Sequence, residues 1–284
     1  MRGDGDGWIT CLAGHRHWGL HGAAGLLLRV ADGSVLLQHR AERSHHGGTW
    51  GVPGGARDSG ETPAQAALRE AGEETDLDTA TVAVDGYVVD DHGGWSYTTV
   101  LGSVDQARPV APSSWESTEL RWVSAPDMPA LPMHPGFTAW PPLDDVPRRL
   151  VLVVDVANVM GSRPDGWWHD RLDAARRLRA ELTPLTGRGI ELPGATGALA
   201  GSWLPDLQLV VEGAAAPLAD EDGAGLVRRA TGSGDDEIVA VVERFVRESS
   251  ADLVRCVTAD RGLAARVRAV GGDVVGPRWL LDLC

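Results

Sequence analysis

Lysine is absent from the 284 residues, and all 26 basic side chains are arginine. That absence excludes a lysine-based phosphate loop, a Schiff-base lysine and a lysine general base. It also accords with a G+C-rich coding bias, so the abundance of Ala, Gly, Val and Arg says little about function. Cysteine is scarce: Cys11, Cys256 and Cys284 lie far apart and in no Cys-x-x-Cys pair. A disulfide framework or thiolate-rich zinc site is therefore not expected, and reduced thiols are. No apolar run approaches the roughly 20 residues that a membrane-spanning helix needs. The opening MRGDGDGW lacks the basic and apolar regions of a secretory leader, and a cytoplasmic protein is expected.

What is present fits a globular chain rather than a disordered one, with 43% hydrophobic and 23% charged residues. The formal net charge is −14, and it is unevenly spread: residues 1–146 hold 20 acids against 9 arginines, residues 147–284 hold 20 against 17. Between these halves, proline recurs too often for a helix or central strand, in PDMPALPMHPGFTAWPPLDDVP. The expected organisation is a first domain at 1–140, a proline-rich linker at 141–148 and a second domain at 149–284, each domain long enough to bury a core.

The first half reads as strands around one helix. Apolar runs at 25–30 and 34–40 flank Ala31-Asp32-Gly33, a hairpin signal. Residues 62–75 carry a helix start, with Thr62 as N-cap and Pro63 at the first helical position. Strand-like segments return at 81–89, 97–104 and 120–123, which makes an α+β domain with a mixed sheet. The second half alternates. Strands are expected at 149–154, 207–211, 253–258 and 273–275, and helices at 170–182, 235–246 and 261–270. Buried apolar strands separated by helices predict a three-layer α/β domain with a parallel sheet.

Glu70, Glu73 and Glu74 stand at i, i+3 and i+4, so a helix presents their carboxylates from one face. Such a group serves either as a solvated acidic face or as a site for a hard cation, because Mg²⁺ and Mn²⁺ take oxygen ligands and neutralise the mutual repulsion. The wider spacing, Gly55-x5-Glu61-x7-Arg69-Glu70-Ala71-x-Glu73-Glu74-x-x-Leu77, resembles the Nudix box. Together with the preceding Trp50-Gly-Val-Pro-Gly-Gly55, it is similar to MutT-like Nudix hydrolases. Two positions depart from that pattern, Ala71 at the aliphatic position and Asp76 at the usual glycine, where a left-handed helix cap is expected.

The resemblance implies Mg²⁺- or Mn²⁺-dependent hydrolysis of a nucleoside diphosphate-linked substrate. A nucleoside triphosphate, oxidised or not, would yield monophosphate and pyrophosphate. It assigns Glu70, Glu73, Glu74 and the Gly55 carbonyl to the metal, pairs Arg69 with Glu61, and makes Glu74 the water-directing carboxylate. Glu119 or Glu116 is the second choice of base. Trp50, Trp95 and Tyr97 are candidates for stacking a base, and equally for the core. Nucleotide sugars and capped RNA are alternative substrates, and a binding module with one or both domains inactive is the alternative class. Cys11, His15, His17 and His21 invite a metal reading, but their spacing matches no usual zinc pattern, and His45-His46 reads as a loop. A structural or substrate-contacting role is expected for them.

In the second half, Asp155 closes an apolar strand and precedes Asn158, Asp235 and Asp236 open a helix after Thr231-Gly-Ser-Gly234, and Asp260 follows another strand. In a parallel sheet these acids share one edge, although N-capping alone would explain Asp235 and Asp260. The motifs VDVAN, GSGDDEIV and VTADRGL resemble NYN/PIN-like ribonuclease domains. That resemblance implies Asp155, Asp235 and Asp260 as ligands for Mg²⁺ or Mn²⁺, with Asn158 and Asp236 in support and RNA as a partner. Gly262 stands where many such domains have a further acid.

Overall fold

The Asp-Gly hairpin forms where the apolar runs place it. In the computed structural model, which describes residues 3–218 and 226–284, the Asp32 carboxylate accepts a hydrogen bond from the Ser34 amide at 2.8 Å, closing the turn between Arg29 and Val35. Met1 and Arg2, the start of the segment read for a leader, lie outside the described residues. The chain divides into two units: Met1–Arg148 with Glu191–Ser202, and Arg149–Ile190 with Trp203–Cys284.

The first unit opens with a small antiparallel hairpin, β1 (Trp8–Thr10) and β2 (Arg16–Trp18). Then come β3 (Ala23–Arg29), β4 (Val35–Arg40), β5 (Trp50–Gly51), β6 (Gly54–Ala56), α1 (Pro63–Glu74), β7 (Ala83–Asp91), β8 (Ser96–Ser103) and β9 (Ser117–Val123). The sheet is mixed. β3 runs parallel to β8 and antiparallel to β4 and β6, while β7 pairs antiparallel with β8 and β9 with β4.

Helix α1 starts at a capping box: the Gln65 amide donates to Thr62 Oγ1 at 3.2 Å, and the Thr62 amide donates to Gln65 Oε1 at 2.9 Å. Its buried face is Ala66, Ala67 and Ala71, which pack with Ala24, Leu26 and Leu28 of β3 and Val100 of β8. The small residue at 71 thus lets the helix lie close on the sheet. The expected left-handed cap does not form. Thr75 ends the helix in extended backbone, and Asp76 instead pairs with Ala111, donating its amide at 3.1 Å and accepting through Oδ1 at 2.7 Å. A side chain that accepts replaces the turn that glycine would make.

The second unit is built on β10 (Leu150–Asp155), wholly buried, followed at once by α2 (Val156–Gly161), α3 (Arg171–Leu182) and α4 (Leu185–Arg188). Two short strands, β11 (Ile190–Glu191) and β12 (Ala200–Trp203), extend the sheet of the first unit beyond β7. The sequence pattern predicts 149–284 entire as the second domain. Segment Glu191–Ser202 groups with the first unit because β12 pairs with β7, which would otherwise be an open sheet edge.

The second unit continues with β13 (Pro205–Val211), β14 (Leu226–Arg229), α5 (Gly234–Glu248), β15 (Leu253–Val257), α6 (Arg261–Ala269), β16 (Asp273–Val275) and α7 (Pro277–Leu281). All five strands of its sheet are parallel, in the order β14-β13-β10-β15-β16. Val151, Val153 and Cys256 meet Ile238, Val242 and Phe245 of α5 and Leu263 and Val267 of α6. Leu150, Leu152 and Val154, pointing the other way, are equally buried, so both faces of the sheet are covered. The three cysteines are free. Among the described residues no helix is long and apolar enough to cross a membrane.

Candidate active site and a second carboxylate cluster

Strand β6 runs under α1, and this brings the glutamates to the backbone. A Cβ on Gly55 would sit 2.6 Å from the Glu70 carboxyl carbon, so only glycine allows that carboxylate to lie against the main chain. Glu74, 4% exposed, accepts a hydrogen bond from the Gly54 amide at 3.1 Å. Burial pushes its carboxyl up to about 7; the Gly54 hydrogen bond and Arg40 oppose the shift, while Glu70 and Glu116 reinforce it. Glu70 is raised as well, by burial first, against the pull of Arg69 and with the charges of Glu73 and Glu116 adding. Glu73 projects outward, its side chain 58% exposed.

Arg69 organises the base of this group. Its guanidinium reaches both oxygens of Glu61, the Ala56 carbonyl at 2.9 Å and Glu70 Oε1 at 2.8 Å, and lies 3.7 Å from Glu73. The bond from Arg69 is the main reason the Glu61 carboxyl is held below its ordinary range. One cation thus restrains three acids, and Glu74 makes its own bond to the backbone.

A NUDIX domain family model matches residues 19–142. A Mycobacterium tuberculosis protein named "Putative 8-oxo-dGTP diphosphatase 3" is 48% identical over 163 residues, which span 54% of this chain and 75% of that protein. The chain belongs to the Nudix hydrolase family. A Bifidobacterium longum protein named a nucleoside triphosphate pyrophosphatase/Nudix hydrolase fusion protein is 42% identical, over 52% of this chain and 29% of its own length. The crystal structure of RenU, a Nudix hydrolase from M. smegmatis, is 48% identical, covers 47% of this chain and 88% of its own, and superposes with a TM-score of 0.45.

Within the Nudix domain the other sequence candidates separate. Glu119 lies on β9, exposed and paired with Arg121 at 2.7 Å, whereas Glu116 is the later carboxylate whose charge acts on both Glu70 and Glu74. Two acids three residues apart in sequence thus have different surroundings. Trp50 is 5% exposed, with the Arg121 guanidinium 4.9 Å from its ring centroid and the His39 ring at 5.1 Å. It is a core residue here rather than an open stacking platform, because β5 tucks beside β4. Trp95 stacks on His17 at 4.0 Å and donates Nε1–H to the Gly19 carbonyl at 3.0 Å. Tyr97 reaches toward the glutamates: burial raises its phenol far above the ordinary value, Glu74 and Glu70 act on it, and its hydroxyl fills the space that a Cβ on Gly25 would take.

In the second unit, Asp155 and Asp235 both feel the charges of neighbouring acids at the carboxyl edge of the parallel sheet. Asp155 ends β10; its carboxylate accepts from the Asn158 amide at 3.0 Å and the Thr258 hydroxyl at 2.9 Å. Burial raises its pKa despite those bonds, with Asp235 and Glu212 adding. Asp235 is raised by burial and next by Asp260, then by Glu212 and Asp236, with Arg266 opposing. Asp260 also N-caps α6 through the Leu263 amide at 2.8 Å, and Asn158 accepts from the Ala259 amide at 2.8 Å, tying the two strand ends together. Asp236 turns aside to Arg266 at 2.5 Å.

Glu212 was missed by the sequence reading. It follows β13 as Asp155 ends β10, so the acid-after-strand pattern could have found it. Its carboxylate accepts from the Gly234 amide at 2.8 Å. It also borders a cavity of about 270 Å³, where the Arg171 guanidinium lies 5.3 Å from the Trp167 ring.

Proposed function

We propose that the Nudix domain hydrolyses nucleoside triphosphates, oxidised purine nucleotides among them, to the monophosphate and pyrophosphate. The observation that carries this is Glu70 lying against the Gly55 backbone and Glu74 bonded to the Gly54 amide, with Glu73 between them on α1 and the charge of Glu116 acting on both Glu70 and Glu74. The donor set fits a divalent hard cation: every donor is oxygen, two of the carboxyls are raised by burial and like charge, and the glycine leaves the carboxylate room against the main chain. Mg²⁺ or Mn²⁺ there would screen the diphosphate and lower the pKa of a bound water. Glu70, Glu73, Glu74 and the Gly55 carbonyl are the residues to hold it. Glu74, with a carboxyl near 7, is suited to take a proton from the attacking water, and Glu116 is the second choice. Arg69 and Glu61 keep the loop against α1.

The relative's printed name supports 8-oxo-dGTP as the first substrate to try. The test is the full chain with a panel of nucleoside triphosphates, a nucleotide sugar and capped RNA, with and without Mg²⁺, products separated chromatographically. Pyrophosphate and monophosphate from the triphosphates support the proposal; orthophosphate as the first product, or no Mg²⁺ dependence, overturns it.

For the second unit the reading is a NYN/PIN-like nuclease or RNA-end-binding domain. What favours it is the action of Asp235 and Glu212 on Asp155, and of Asp260 and Glu212 on Asp235, beside a cavity that offers Trp167 and Arg171 to a base and a phosphate.

A further inference from the structure

Two turns of the first unit bring together four side chains that the carboxylate site does not use. Cys11 follows β1, and His15 and His17 lie two apart at the start of β2, where alternation puts them on one face. His92 comes from the turn after β7, seventy-five residues beyond His17 in a chain where no sequence motif connects them. The turns are bonded directly: the Leu12 amide donates to the Gly93 carbonyl at 2.9 Å, and the Cys11 amide to the His15 carbonyl at 2.9 Å. One potential ligand atom from each of Cys11, His15, His17 and His92 lies within 4.8 Å of all the others.

We propose that Cys11, His15, His17 and His92 form a tetrahedral structural site for zinc or a zinc-like transition-metal ion, distinct from the hard-cation carboxylates of α1. Zinc bonds of about 2.0–2.3 Å require ligand atoms roughly 3.3–3.8 Å apart in a tetrahedron, so side-chain adjustments of about an ångström close the set. One thiolate with three imidazoles is a donor set for zinc, whereas magnesium and calcium take oxygen.

An independent observation points to the same ligand. His17 Nε2 is buried without a hydrogen-bond partner, a cost that a bound cation removes. The ring cannot turn away cheaply, because it stacks on Trp95 with an interplanar angle of 11°, and Trp95 is itself fixed by its bond to Gly19. His92 stands 4.6 Å from His17 between ring centroids, and its Nε2 is 3.3 Å from Asp90 Oδ2, the sort of carboxylate partner that orients a ligating imidazole through its second nitrogen. His21, grouped with these residues by sequence, is exposed and outside the cluster.

The site has a structural task. Strands β1 and β2 are three residues each and form a sheet of two, a unit with little stability of its own. A metal shared with His92 clips that hairpin to the β7–β8 turn. With four protein ligands the coordination is closed, as in structural zinc sites.

The experiment titrates Co²⁺ into metal-stripped full-length protein with excess Mg²⁺ present, in a Cys284→Ser background that removes the exposed thiol. The expected spectrum has intense tetrahedral visible bands and a thiolate-to-cobalt charge-transfer band, saturating together and reversed by Zn²⁺. Cys11→Ser abolishes the charge-transfer band, and His92→Gln weakens binding by roughly tenfold or more. Cobalt held by the α1 glutamates, or by the second histidine group His45, His46 and His134, produces no thiolate band. Absence of that band in the background protein, which needs no folding of any ligand variant, overturns the proposal, as does its persistence in Cys11→Ser.

Discussion

Arg69 grips Glu61 through two nitrogens, Nε 2.8 Å from Oε1 and Nη2 3.0 Å from Oε2, eight residues apart across the turn that leads into α1. The pair is partly shielded from water and planar on both sides, the geometry in which an ion pair is worth more than a surface contact. It is the joint that sets the loop 56–61 against the helix bearing the glutamates. Glu61→Gln removes the charge and keeps the shape; it should cost about 1–3 kcal/mol in denaturant unfolding and reduce turnover through misplacement of Glu70. An unchanged unfolding midpoint would show that the joint is idle.

Glu74 gives a pH signature. Its folded carboxyl titrates at about 7 against an ordinary 4.5, so the folded state binds the extra proton and stability falls as pH rises through that interval. The penalty is absent below about 4.5 and complete above about 7, on the order of 3 kcal/mol in the metal-free protein. Thermal unfolding from pH 5 to 8 in chelator should show this decline, Mg²⁺ should reverse it at the upper end, and Glu74→Gln should flatten it. The same variant should lose roughly 10²–10⁴-fold in turnover.

Glu73 separates metal binding from folding. Its side chain is largely exposed and its contact with Arg69 is long, at 3.7 Å. Glu73→Gln should therefore leave the unfolding temperature within error of the parent while raising the Mg²⁺ concentration for half-maximal activity by roughly 10–100-fold. Activity titrated with Mg²⁺ decides this, and an unaltered Mg²⁺ requirement removes Glu73 from the site.

Asp155 tests the second unit. Buried, and facing the charges of Asp235 and Glu212, it should make the domain more stable when Mn²⁺ binds, because a cation relieves the repulsion. Weak Mn²⁺-dependent cleavage of single-stranded RNA is expected from the parent and none from Asp155→Asn or Glu212→Gln. RNA retention without cleavage in the parent would identify a binding domain, and neither retention nor cleavage would end both versions.

The sequence alone determined what is local. The i, i+3, i+4 glutamates, the Thr62 cap, the Asp-Gly hairpin and the apolar strands each depend on residues within a turn or two of one another, where backbone periodicity maps spacing directly onto direction. The box from Gly55 to Leu77 was legible for that reason, as were the acids at strand ends. Only the tertiary structure gave Glu116 and Glu119 different surroundings, sent Trp50 into the core beside Arg121, added Glu212 to the aspartates and grouped Glu191–Ser202 with the first unit. It also exchanged His21 for His92 beside Cys11. Each of these turns on which strands lie side by side. That is set by burial of whole faces and by pairing of sheet edges over long separations, and no spacing within a motif encodes it.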